Sequence, residues 1–319
     1  MKHWRWLQGI GLGLLMAGGA TAIQAAAAPL PKPLRPLRLA QSYTDLVAVS
    51  LFQHYTAGYP APVLTDGLSS RQIDSVQVTF VRRLINNAGD SGSVVGYKVA
   101  LTNPQAQAQL GVTHPLYGFL LENMLLDDGA TLPLRFGSRP HAEGDLMVRV
   151  GSADINQAET DLELLAGLDA VVPFLELPDL IYEENALVNA GALVAVNMGA
   201  RYGIVGDPVE LDPDTSGLEQ LANIRVVLNN ARGQFLAEGN STDLLGHPIN
   251  AVRWLRDTLQ TQGVALRPGD LLSLGSMTSL VSLESGTDIT GIEARYFGLE
   301  STERSTDLEV SFDVPDEDS

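Results

Sequence analysis

The sequence has no cysteine. That removes disulfides, thiolate metal sites and cysteine nucleophiles. It leaves the compartment open, because exported chains can also lack cysteine. Basic residues are scarce: 20 Lys and Arg stand against 38 Asp and Glu, a formal net charge of −18. Phosphate neutralisation needs Lys and Arg clusters, and the sequence contains none, so no nucleic-acid partner is expected. The five histidines show no spacing typical of zinc sites. No G-x-S-x-G, P-loop or Rossmann fingerprint occurs in a supporting context. Beyond the N-terminus, every apolar run is broken by charge or Gly within about ten residues, too short for a bilayer span. No internal repeat is present.

What is there begins with a leader. MKHWRW supplies Lys2 and Arg5, LQGIGLGLLMAGGATAI is apolar and Gly-rich, and QAAAAP follows. A positive start, a short apolar stretch and an A-x-A pattern predict a secretory signal peptide over residues 1–27. Export is expected, with a periplasm as the simplest destination and no stable membrane span after cleavage. Residues 28–40 contain the Pro-rich PLPKPLRPLRLA, an extended linker. The remaining chain, 45% apolar overall, is long enough for a full core. Residues 41–92 form a helical N-terminal portion, with helices over 44–58, where Thr44 can cap, and 69–89. In the second, Ile73, Val76, Phe80 and Leu84 recur at helical spacing. Residues 93–319 read as β-rich. A strand over 93–102 puts Val95, Tyr97, Val99 and Leu101 on one face and Gly96, Lys98 and Ala100 on the other. Asn103, Pro104 and Gly111 start and stop a short helix. Further helices are expected over 158–168 and 246–263, and strands over 223–230 and 233–239. Several short strands follow between 270 and 313, and the acidic tail DVPDEDS ends the chain. The fold class is α+β, a β-rich mixed-sheet domain with a helical N-terminal portion.

Glu143 and Asp145 stand two residues apart in HAEGDLMVRVG. On a strand they share a face, with Cα atoms about 6.6 Å apart. Two like charges so placed either point into water at a strand end or hold a cation between them. Hard oxygens suit Mg²⁺ or Mn²⁺. Glu176 is a lone carboxylate in VVPFLELPDLIY. Buried, it needs a metal, an arginine or a shifted pKa. Lys98, between two small neighbours, has room for an anion or a proton-transfer partner; otherwise it snorkels to the surface. His247 precedes a helix, where it either caps or contacts substrate. His114 and His141 read as surface residues.

Five stretches fall in one order. They are GYKVALTNPQAQAQLGV (96–112), PHAEGDLMVRV (140–150), VVPFLEL (171–177), LLGHPINAVRWL (244–255) and RPGDLLSLGSMT (267–278). In this order they resemble the 2-keto-4-pentenoate hydratase family, within the fumarylacetoacetate hydrolase superfamily. The resemblance covers residues 42 to 315 or so. It implies a fumarylacetoacetate-hydrolase-like fold and a divalent metal, Mg²⁺ or Mn²⁺, on Glu143, Asp145 and Glu176. It also implies a small 2-keto acid as partner, a catalytic and substrate-binding Lys98, and substrate contacts from Asn197 and His247. The family reaction hydrates 2-hydroxypenta-2,4-dienoate through a metal-stabilised enolate. Family members often form homo-oligomers. Two positions depart from the pattern. Leu116 stands where the family's P-D-F-G has Asp, and Gly199 replaces the serine of D-N-A-S while Asn197 is kept. The resemblance thus implies retained metal ligation and altered proton handling. The same chemistry would serve a 2-oxo acid decarboxylase, tautomerase or C–C hydrolase. A non-catalytic exported binding protein is the reading from another class, favoured by Leu116 and Gly199.

Overall fold

The first helix of the chain is fixed by its ends. Ser42, rather than Thr44, caps α1 (Tyr43–Ala57): its hydroxyl accepts the Asp45 N–H at 3.2 Å, and Asp45 reaches back to the Ser42 N–H at 3.3 Å. Gly58 ends the helix in the left-handed region, at φ 67°. Helix α2 (Ser70–Asn86) buries Val76, Phe80 and Leu84, three of the four expected positions, while Ile73 is half-buried. The computed structural model describes residues 42–87, 92–283, 289–300 and 305–313. The expected leader, the linker and all but the first residue of the acidic tail lie outside the described residues.

The sheets are built from β1 (Val94–Ala100), β2 (Leu116–Leu121), β3 (His141–Val150), β4 (Leu168–Leu177), β5 (Tyr202–Val205), β6 (Arg225–Asn230), β7 (Phe235–Asn240), β8 (Leu271–Ser276), β9 (Gly291–Phe297) and β10 (Ser305–Asp313). Helices α3 (Ala190–Ala195) and α4 (Pro248–Thr261) pack around them. The helix expected over 158–168 is shorter, Asp161–Ala166, because Thr160 and Glu163 form a capping box and a 3₁₀ turn occupies Ala153–Gln157. No helix among the described residues is long and apolar enough to cross a membrane.

The larger sheet runs β2–β1–β8–β3–β4–β5 and ends on the short strand Leu125–Asp127. Its two edges are joined by the turn Glu122–Met124. From Leu121 to Leu125 the chain takes four steps, a reach of at most about 14 Å. The sheet must therefore curl until its edges approach each other, as in a barrel. The register sorts its side chains by face. Leu146, Val148, Leu175, Leu272 and Leu274 pack outward into the main core. That core also takes α4 and the second sheet, β7–β6–β9–β10 with Ala130–Pro133. Leu120, Met147, Ala170, Val172 and Phe174 form a separate inner cluster, each 3% exposed or less. Gly203 admits the Phe174 ring, since a Cβ there would stand 2.2 Å from it.

Candidate metal and substrate centre

The inner face of the roll carries the polar residues. Lys98 on β1 is paired in register with Ser273 on β8, and Ser273 with Met147 on β3. Two and four residues before Met147 come Asp145 and Glu143, and Glu143 stands directly opposite Glu176 on β4. Cross-strand neighbours of this kind have Cβ atoms about 5 Å apart. Strand alternation thus delivers one lysine, three carboxylates and the Ser273 hydroxyl to a single face.

Lys98 is 2% exposed, so it does not snorkel. Its Nζ donates to Glu176 Oε1 and, at 3.3 Å, to the Met198 carbonyl. The partner of Glu176 is therefore a lysine, where the sequence left metal, arginine and pKa shift open. The expected free niche beside Lys98 is filled. A Cβ on Gly96 would lie 1.9 Å from the Leu271 carbonyl oxygen, so that glycine admits the neighbouring strand and leaves no space for a ligand. Glu176 Oε2 is buried without a hydrogen-bond partner. Both oxygens of Asp145 are engaged: Oδ1 accepts the Leu146 N–H at 2.5 Å and Oδ2 accepts the Ser273 hydroxyl at 2.7 Å.

Electrostatics follow from this crowding. Burial, then the adjacent Glu176 charge, pushes the Glu143 carboxyl up to about 8 from its ordinary 4.5. Burial and the same Glu176 charge raise Asp145 well above the carboxylate range, against the Ser273 hydrogen bond, which lowers it. Burial pulls the Lys98 ammonium down, but the Glu176, Glu143 and Asp145 charges outweigh it and the net shift is upward. The donor set fits a hard divalent cation. It offers two buried carboxyl groups facing each other, each burdened by burial and by the other's charge, and a cation between them would offset both penalties. Glu143 and Glu176 are placed for this. Asp145 shares their face but is held by Ser273 and Leu146. Among the described residues, no three His, Cys, Asp or Glu side chains are gathered tightly enough to hold an ion as they stand.

The other expected site residues are placed differently. Asn197 is fully buried, and its amide clasps one backbone residue. Oδ1 accepts the Phe119 N–H at 2.7 Å and Nδ2 donates to the Phe119 carbonyl at 2.9 Å, so the amide is committed to holding backbone. Asn197, Met198 and Gly199 form a left-handed turn, with φ of 56°, 56° and 70°. That turn aims the Met198 carbonyl at Lys98, and at Gly199 glycine fits without strain. His247 is a helix cap: Nδ1 accepts the Ile249 N–H at 3.0 Å and Nε2 pairs with the Leu218 carbonyl at 3.1 Å. Both ring nitrogens are occupied, so its substrate contact is replaced by a structural one. His114 is exposed, but His141 is buried at 7%, with Nδ1 2.8 Å from the Arg139 carbonyl. Leu116 pairs with Ala100 and shares the face of Lys98. Sequence reasoning missed Ser273. Its signal is a hydroxyl at an inward position within the apolar run LLSL of that strand.

No protein-family model matches the chain. The chain is 30% identical over 243 residues to a 2-keto-4-pentenoate hydratase of Paraburkholderia xenovorans, across 75% of this chain and 87% of that protein. It is 28% identical over 221 residues to a 4-oxalocrotonate decarboxylase of Pseudomonas putida, across 69% of this chain and 80% of the relative. Among solved structures, 4-oxalocrotonate decarboxylase from Pseudomonas putida G7, complexed with magnesium and adipate, superposes with a TM-score of 0.71 at 24% identity. It covers 85% of this chain and 97% of its own. The architecture is thus the α+β fold of that decarboxylase. The chain belongs to the 2-keto-4-pentenoate hydratase family.

Proposed function

We propose that the protein is a divalent-metal-dependent hydratase of a small 2-hydroxydienoic or 2-keto acid. Glu143 and Glu176 would hold Mg²⁺ or Mn²⁺, with Asp145 completing the set on release from Ser273. The observation that carries this reading is the facing pair of inward carboxylates, one of them with an orphaned buried oxygen, in a member of a hydratase family. The bound ion would supply a Lewis acid for the 2-oxo-carboxylate end of the substrate and stabilise enolate charge. The chain's own residues do the rest. Lys98, once Glu176 turns to the cation, is free to hold the substrate's anionic end or to move a proton. The apolar floor of Met147, Val172 and Phe174 keeps bulk water from beneath the centre.

Leu116 favours a second reaction at the same site. It lies on the Lys98 face and cannot carry a proton, so decarboxylation of a 2-oxo acid, which adds no water, is the alternative. The relative named as a decarboxylase makes it concrete. The test is calorimetric titration of metal-free protein with Mg²⁺ and Mn²⁺, with and without oxalate. Metal-dependent oxalate binding is expected; no metal binding overturns the proposal. Turnover of 2-hydroxypenta-2,4-dienoate without release of CO₂ marks the hydratase, and CO₂ release from a 2-oxo diacid marks the decarboxylase. Metal binding with no turnover of either leaves a binding protein.

A further inference from the structure

Helix α2 carries a second stripe beside its buried one. Thr79, Arg82, Arg83 and Asn86 follow i, i+3, i+4, i+7 spacing and so share a face. With Asn87 and the half-buried Phe52 of α1 they line a groove of about 380 Å³. Every polar group on that lining can donate a hydrogen bond, and no acid is among them. None of the described ion pairs involves Arg82 or Arg83. In a chain with 38 acidic residues and 20 basic ones, two adjacent arginines with no acid paired to them among the described residues are unexpected. Arg83 Nε is moreover buried with no hydrogen-bond partner. An arginine present only to complement the C-terminal end of the helix dipole would be satisfied by water. This nitrogen is out of water's reach and has no acceptor among the described residues, and a ligand in the groove would supply one.

We propose that this groove is a binding site for a small dicarboxylate, separate from the centre inside the roll. The planar guanidinium fork matches a carboxylate bidentately. Two neighbouring forks suit two carboxylates on a short apolar link, and Phe52 supplies a surface for that link. The size lies in the range of small-molecule sites.

The experiment is calorimetric titration of the metal-free full chain with succinate, beside the variants Arg82→Gln, Arg83→Gln, Arg83→Lys and Glu143→Gln. One succinate per chain is expected to bind. Affinity should fall about tenfold or more in each arginine variant. Arg83→Lys keeps the charge at the helix end and loses the fork, so its weakened binding cannot be charged to misfolding. Glu143→Gln, inside the roll, should bind succinate as the wild type does. Absence of saturable binding, binding indifferent to the arginine changes, or binding lost in Glu143→Gln would each overturn the proposal. Inorganic phosphate binding as tightly as succinate would overturn its dicarboxylate specificity.

Discussion

Single residues decide how the centre responds to pH. Glu143, held near 8 against an ordinary 4.5, is protonated at neutral pH in the metal-free protein. The folded state therefore favours the protonated carboxyl. Its contribution to stability is complete below the ordinary value and is lost as pH climbs through the raised one. Thermal melts of metal-free protein should fall between about pH 4.5 and 8 and level off above that. Glu143→Gln should flatten that fall, and a divalent ion should reverse it; an identical slope in the variant would assign the titration elsewhere. Lys98 and Glu176 form a buried pair, and breaking it from one side leaves a bare charge. Lys98→Met should cost about 3–5 kcal/mol in urea unfolding, and adding Glu176→Gln should recover most of it. No cost in the single variant would mean that the pair is open to water. The alternate spacing of Glu143 and Asp145, and the isolation of Glu176, were legible in the sequence. The lysine partner, the Ser273 hydroxyl and the Asn197 clasp were not, because each joins residues 70 or more apart.

Elements were legible where their ends carry local chemistry. Pro248 opens α4 as expected, and Gly263, in the left-handed region at φ 76°, follows its end. Asn103 caps the short helix Pro104–Gln109 as its spacing predicts. Functional labels at the same ends were less legible, since a cap and a ligand share one set of side chains. His247 and Asn197 both proved to bind backbone. The Asn197 clasp ties the left-handed turn 197–199 to β2. Asn197→Ala should therefore lower stability by about 1–3 kcal/mol and free the Met198 carbonyl from Lys98. Chemical denaturation measures the first effect, and the amide or methyl signals of Met198 report the second. An unshifted Met198 would mean that the turn holds without its clasp.

At the scale of the whole molecule, alternation and turn signals predicted strands without their neighbours. The order β2–β1–β8–β3–β4–β5 rests on pairings across most of the chain, which no local pattern encodes. The N-terminal expectation is also a whole-molecule matter. If residues 1–27 are a leader, intact-mass measurement of protein from an exporting host should begin at Ala28; a full-length mass would make the segment an anchor. The closing turn Glu122–Met124 has a kinetic consequence. The residues of the centre lie at positions 98, 143, 145, 176 and 273: the carboxylates come together when β3 pairs with β4, but Lys98 and Ser273 join them only once β8 has paired with β1 and β3. Such long loops close slowly. The facing carboxylates can therefore assemble before the lysine that neutralises them is in place, and the complete centre waits on the pairing of β8 with β1 and β3.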